Sequence, residues 1–187
     1  LDAWAADSYN SDDPLLIEQI RTRLLPRRGI MADEDEILVT LGAQNALYLL
    51  SSLLVRPGVK VAMEEPGYQA ARNAFLLKSN DLQSMPLDQE GLIVDERLND
   101  CSFVYVTPSH HYPSTVTMSL ARRRALLDAA TDYGFVIIED DYEFETNYLS
   151  EPIPALKSLD RDDRVIYVGS LSKSLFPGLR LGYMVGP

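Results

Sequence analysis

Six short β-rich runs follow one another from residue 37 onward, and they constrain the fold more than any other feature. They are ILVT (37–40), VKVAMEE (59–65), FVYVTP (103–108), FVIIED (135–140), VIYVGS (165–170) and LRLGYMVG (179–186). Several are apolar throughout instead of alternating, the pattern of strands covered on both faces in a parallel sheet. A weaker seventh candidate, DLQSMPL (81–87), lies between them. The segments separating the runs read as helices. In GAQNALYLLSSLL, Ala46, Leu47, Leu50, Leu53 and Leu54 recur at three- and four-residue steps, and Pro57-Gly58 stops the pattern. In SLARRRALLDAATDYG, Ser119 caps the start, Leu126, Ala130 and Tyr133 share a face, and Gly134 ends it. Such alternation predicts an α/β layered domain with right-handed crossovers, whose ligands sit beyond the carboxyl ends of the strands.

The first 36 residues differ. Asp13-Pro14 opens a helix, LLIEQIRTRLLPRRG, that Pro26 and Gly29 should end. The expected division is an N-terminal arm with one helix over residues 1–36 and a layered domain over 37–187. At 187 residues and 46% hydrophobic, the chain can bury one substantial core or two small ones. No apolar run approaches the ~18 residues of a membrane span, and LDAWAADSYN does not read as a signal peptide. One cysteine, Cys101, excludes an internal disulfide and a cysteine-based metal cluster, which fits a cytoplasmic location. The net charge of −11 repels nucleic acid and anionic membranes.

Four segments carry chemistry. In IYVGSLSKSLFPGLRLGY, Lys173 stands between Ser170, Ser172 and Arg180. Two hydroxyls and a guanidinium bind a dianionic phosphate, and an amine beside a phosphate-bearing carbonyl compound can form a Schiff base. A lysine past a buried strand is also an ordinary solvated end residue. In VIIEDDY, Glu139, Asp140 and Asp141 end an apolar strand and Tyr142 follows. The segment reads as a metal-binding cluster, as a solvated loop, or as a buried carboxylate for a pyridine nitrogen, with Asp140 the better placed of the three. In TLGAQNAL, Gly42 precedes a helix whose first amides, those of Ala43 and Gln44, suit a phosphate, although Gly42 also fits a plain turn. Neither a dinucleotide nor a nucleotide-triphosphate glycine motif is present. In EEPGYQA, Tyr68 should point across the strand ends, to stack on a flat ligand or to pack at a rim. Arg122, Arg123 and Arg124 read as a solvated helix face, and Cys101 as a packing residue.

Taken together, ILVTLGAQNAL, VAMEEPGY, VTPSHHYPSTVTMSLARRRALL, VIIEDDYEFE and RVIYVGSLSKSLFPGLRLGYMVGP resemble the fold-type I, pyridoxal-phosphate-dependent aminotransferases of class I/II. The closer resemblance is to the aminotransferase-like domain of MocR/GabR-type, GntR-family regulators. It implies a three-layer α/β/α domain on a mainly parallel seven-stranded sheet, with pyridoxal 5′-phosphate as cofactor and no metal. Lys173 would carry the cofactor and shuttle the proton, Asp140 would pair with the pyridinium nitrogen, and Tyr142 would bond the phenolic oxygen. The Ala43 and Gln44 amides, Ser170, Ser172 and Arg180 would hold the phosphate, and Tyr68 would lie against the ring. The family's Asn-Pro-Thr-Gly is replaced by Tyr112-Pro113-Ser114-Thr115, so the usual asparagine is absent. His110 or His111 could compensate for it, or have no role.

The resemblance further implies a small C-terminal domain beyond Pro187 and a DNA-binding module upstream of Leu1. The expected function is a cofactor-binding, effector-sensing domain of such a regulator. The alternative is part of a genuine aminotransferase moving an amino group between an amino acid and a 2-oxo acid. The implied partners are an amino acid or amine and a second copy of the chain, with DNA only through the upstream module and no membrane. Little turnover is expected of this chain alone.

Overall fold

The structure is a computed structural model and describes residues 11–142, 153–172 and 176–186. All seven strand candidates form one sheet. Its strands are β1 (Ile37–Thr40), β2 (Val61–Glu64), β3 (Leu82–Met85), β6 (Phe103–Val106), β7 (Val136–Asp141), β8 (Val165–Ser170) and β9 (Gly182–Val185), in the order β1-β9-β8-β7-β6-β2-β3. The pairings from β3 through β8 are parallel, while β9 runs antiparallel to both β8 and β1. Six strands therefore point one way, and their carboxyl ends line up along one edge. A separate hairpin of β4 (Leu87–Asp88) and β5 (Gly91–Leu92) lies outside this sheet. Its two-residue strands are too short to carry a periodicity.

Helices cover both faces. On one, α2 (Ala43–Leu54) and α3 (Gln69–Leu76) bring Leu47, Leu50 and Phe75 onto Met63, Tyr105, Ile138 and Val168. On the other, α4 (Leu120–Tyr133) and α5 (Leu156–Leu159) set Leu126, Ala130 and Leu156 against Ala62, Val104, Ile137 and Val165. The alternation Ile137/Ile138 along β7 divides the two cores. Ser119 caps α4 by accepting the Arg122 amide, and Gly134 ends it in the left-handed conformation. Tyr133, expected on the buried face, is exposed.

The N-terminal helix starts as predicted, with the Asp13 carboxylate accepting the Leu15 and Leu16 amides ahead of α1 (Pro14–Gln19). Its winding then changes. Residues Ile20–Leu24 form a π-helical turn and Leu25–Arg28 a 3₁₀ turn, which Gly29 closes at φ 72°. Pro26 opens the 3₁₀ turn, where its missing N–H leaves no bond unmade, so the chain stays helical past it. Ile17, Ile20, Leu25 and Ile30 form a third core with Ile37, Tyr167, Tyr183 and Val185.

The arginine run corrects one sequence reading. Arg124 is exposed, but Arg123 is fully buried. Its guanidinium donates to the carbonyls of Met118, Pro154 and Pro108 and lies 3.8 Å from Glu139. A second buried arginine, Arg28, donates to Asp141 Oδ2 at 2.6 Å, to Ser109 Oγ at 2.7 Å and to the Ile153 carbonyl at 2.9 Å. Removing one member of a buried pair strands the other charge. Arg28→Met should therefore lower the unfolding free energy in urea by about 3–5 kcal/mol, and adding Asp141→Leu should recover most of that loss. Strictly additive losses would show that the pair is not coupled.

Candidate functional site

The parallel strands end around a cleft of about 370 Å³. The ends of β1, α2, β8 and β9 and the turn before β9 build one half of it. Gly42 caps α2 at φ 84°, directly after β1, and the amides of Ala43 and Gln44 are the first two of that helix, with no acceptor inside it. A Cβ on Gly42 would lie 3.2 Å from Arg180 Nη2, and a Cβ on Gly182 would meet the Gly42 backbone at 2.8 Å. Glycine at both positions lets the start of β9 close against the start of α2. Arg180, left-handed at φ 50° after the Pro177–Leu179 turn, reaches back to the Leu41 carbonyl at 3.4 Å. Ser170 ends β8 and accepts the Ser172 amide at 3.4 Å, while the buried Ser172 hydroxyl makes no hydrogen bond among the described residues.

The other half is aromatic and acidic. Tyr68 accepts from Gln44 Nε2 at 2.8 Å, and Tyr112 meets its ring edge-on at 6.1 Å. Tyr142 also lines the cleft, with the His110 ring set against it at 6.4 Å. At the floor lies Asp140, only 2% exposed. Tyr105 donates to its Oδ2 at 2.7 Å, and Oδ1 is buried without a partner among the described residues. Burial raises the Asp140 carboxyl to about 7; neighbouring Asp141 adds to the rise and the Tyr105 bond opposes it.

The three acids of VIIEDDY thus have three different surroundings. Alternation along β7 turns Glu139 and Asp141 to the face where Arg123 and Arg28 lie, and Asp140 to the face of α2 and the cleft. Glu139 accepts the Leu156 and Lys157 amides at 2.9 Å each. Among the described residues no group of His, Cys, Asp and Glu could hold a metal ion, so the cluster reading of this segment falls away.

Of the residues singled out in the sequence, Ala43, Gln44, Tyr68, Asp140, Tyr142, Ser170, Ser172 and Arg180 all line this one cleft. Lys173 lies outside the described residues. The arrangement fits pyridoxal 5′-phosphate. An orphaned carboxylate oxygen has the chemistry to pair with a protonated ring nitrogen, and an orphaned hydroxyl beside helix-start amides and an arginine has the chemistry to hold a phosphate. Sequence reasoning noticed Tyr112 only as a missing asparagine, yet it forms part of the wall. Neither histidine lines the cleft. His111 is buried, with Nδ1 2.7 Å from Ser114 Oγ and Nε2 3.5 Å from Glu64 Oε2. Thr115, standing where the family pattern has glycine, takes φ 62°, the left-handed conformation that a side chain disfavours.

Fold and cleft together define a large domain of the aminotransferase type. The profile of the family Aminotransferase class I and II matches residues 9–187, and the chain belongs to that family. It is 49% identical over 183 residues to the HTH-type transcriptional regulator TauR of Rhodobacter capsulatus, covering 98% of this chain and 38% of that protein. The probable rhizopine catabolism regulatory protein MocR of Rhizobium meliloti is 36% identical, over 93% of this chain and 36% of its own length. Among solved structures, the kynurenine aminotransferase of Pyrococcus horikoshii, in complex with PMP, superposes with a TM-score of 0.82 at 37% identity, over 91% of this chain and 44% of that one. The chain thus spans less than half the length of these relatives. No described helix is long and apolar enough to cross a membrane.

Glu64, behind the cleft, provides a stability test. It is buried and accepts both the amide and the hydroxyl of Thr107, yet burial raises it from 4.5 to about 7. The folded chain therefore keeps a proton that the unfolded chain releases, so this group's contribution to stability falls as pH rises from about 4.5 through 7. Glu64→Gln cannot lose that proton. Between pH 4.5 and 7.5 the variant should gain roughly 3 kcal/mol relative to the unmodified chain in denaturant unfolding; a difference independent of pH would refute the assignment.

Proposed function

We propose that the chain is the cofactor-binding part of an effector-sensing, aminotransferase-like domain in a MocR/GabR-type, GntR-family regulator. The observation that carries this reading is the cleft itself, in which an unpaired Asp140 oxygen and an unpaired Ser172 hydroxyl line a single cavity. Pyridoxal 5′-phosphate, when bound, supplies an aldehyde that condenses with amines and a cationic ring that withdraws electrons. The chain's own residues do the rest. Asp140 Oδ1 holds the proton on the ring nitrogen, and the amides of Ala43 and Gln44, Ser170, Ser172 and Arg180 take the phosphate. Tyr142 would bond the phenolic oxygen, and Tyr68 would lie against the ring and narrow the cleft against water. Lys173 would hold the cofactor covalently and would move a proton at the ligand's α-carbon.

The regulator reading is favoured by the higher identity to TauR than to the kynurenine aminotransferase. The likeness to that enzyme supports a second reading, an amino-group transferase, since both use the same cleft. An amino acid or amine is the proposed ligand, a second copy of the chain the proposed partner, and the cytoplasm the proposed location. Contact with DNA is assigned to a separate module, because a chain of charge −11 opposes it.

Reductive trapping tests the assignment. Pyridoxal 5′-phosphate should be fixed by borohydride onto Lys173, identified by peptide mass mapping, and Lys173→Ala should lose that label. Labelling only at Lys60, Lys78 or Lys157 would refute it.

A further inference from the structure

Asp140 works in this account only if one oxygen is fixed and the other left open. The residue that does this comes from the neighbouring strand. Tyr105 stands opposite Ile138 in the β6–β7 register, two residues before Asp140 on the same face. A tyrosine at that point spans the two-residue offset with its ring and delivers its hydroxyl to Oδ2 at 2.7 Å. The ring is packed into the core on this face. Met63 is its register partner on β2, and Phe75 of α3 meets it edge-on at 5.9 Å. It is 1% exposed, so water does not compete for the bond.

We propose that Tyr105 is a positioning residue: its hydroxyl locks the Asp140 carboxylate in one rotamer and leaves Oδ1 as the single oxygen offered to the cleft. This rests on the cofactor reading of the cleft for its purpose, but the bond itself stands without it. The other charged or titratable groups around Asp140 do not replace Tyr105. Glu64 on β2 is a carboxyl that repels it, and Asp141 faces the opposite side of the sheet toward Arg28. Tyr68, Tyr112, Tyr142 and Arg180 share the cleft, on the side where Oδ1 is without a partner. A hydrogen bond to the charged form of a carboxylate favours that form. Tyr105 thus keeps Asp140 ionised further toward acid than burial alone would allow, and Tyr105→Phe removes only the donor.

Two readouts separate this inference from the reading it rests on. In the cofactor-free chain, carboxyl carbon-13 NMR should show the Asp140 midpoint rising by roughly one pH unit in Tyr105→Phe. An unchanged midpoint overturns the inference. In the unmutated chain the Tyr105 ring carbon bearing the hydroxyl should titrate together with Asp140, so the test survives even if the variant fails to fold; independent behaviour of the two groups overturns it equally. Pyridoxal 5′-phosphate titrations then test the purpose. Tyr105→Phe should bind several-fold more weakly near neutral pH, with the acid limb of its affinity profile moved to higher pH, and Asp140→Asn should bind more weakly at every pH. If Asp140→Asn binds as the unmodified chain does, the cleft reading fails while the Tyr105 bond stands. If only Tyr105→Phe binds normally, with an unshifted limb, the positioning role fails and the cleft reading stands.

Discussion

Three consecutive carboxylates, Glu139, Asp140 and Asp141, are buried at the end of one strand, an arrangement that electrostatics forbids unless each meets a different partner. The two-residue period of β7 resolves it by sending Glu139 and Asp141 to one face and Asp140 to the other. Much of the remaining architecture serves that separation. Arg123 comes up from α4 to neutralise Glu139, and Arg28 comes from the N-terminal helix to meet Asp141. With those two charges compensated on the far side, Asp140 is free to face the cleft with a single hydroxyl bond and one unpaired oxygen.

The same separation explains how the N-terminal segment is tied to the rest of the molecule. Arg28 joins the 3₁₀ turn at residues 25–28 to the strand end carrying Asp141 and, through Ser109, to the loop that follows β6. That loop also contributes Tyr112 to the cleft wall. A buried ionic contact therefore connects the arm to Asp141, next to the cleft residues Asp140 and Tyr142, in addition to the apolar contacts of Ile17, Ile20 and Leu25.

Much of this was legible in the sequence because it is written in local patterns. β-rich runs marked six of the strands and the weaker DLQSMPL marked the seventh, while Ser119, Asp13, Gly29 and Gly134 marked helix ends by short-range chemistry. The cleft residues were legible because they cluster at the ends of those runs, where a layered α/β fold brings them together. What was hidden depends on distant partners. Arg123 looks like its exposed neighbour Arg124 until Glu139, Pro108 and Pro154 surround it. Tyr105 looks like any β-forming aromatic until the register sets it beside Asp140. The π and 3₁₀ turns after Gln19 follow from packing on the sheet and from Pro26, and helical periodicity does not distinguish them from a regular helix.

The family places this chain with regulators and enzymes alike, and both readings rest on one electrostatic claim: that Asp140 holds a proton on a pyridine nitrogen. Nitrogen-15 NMR of ring-labelled pyridoxal 5′-phosphate bound to the chain measures that proton directly. The account predicts a protonated ring nitrogen that persists well above the pH at which the free cofactor loses its proton. A bound cofactor whose ring nitrogen is unprotonated at neutral pH would contradict it.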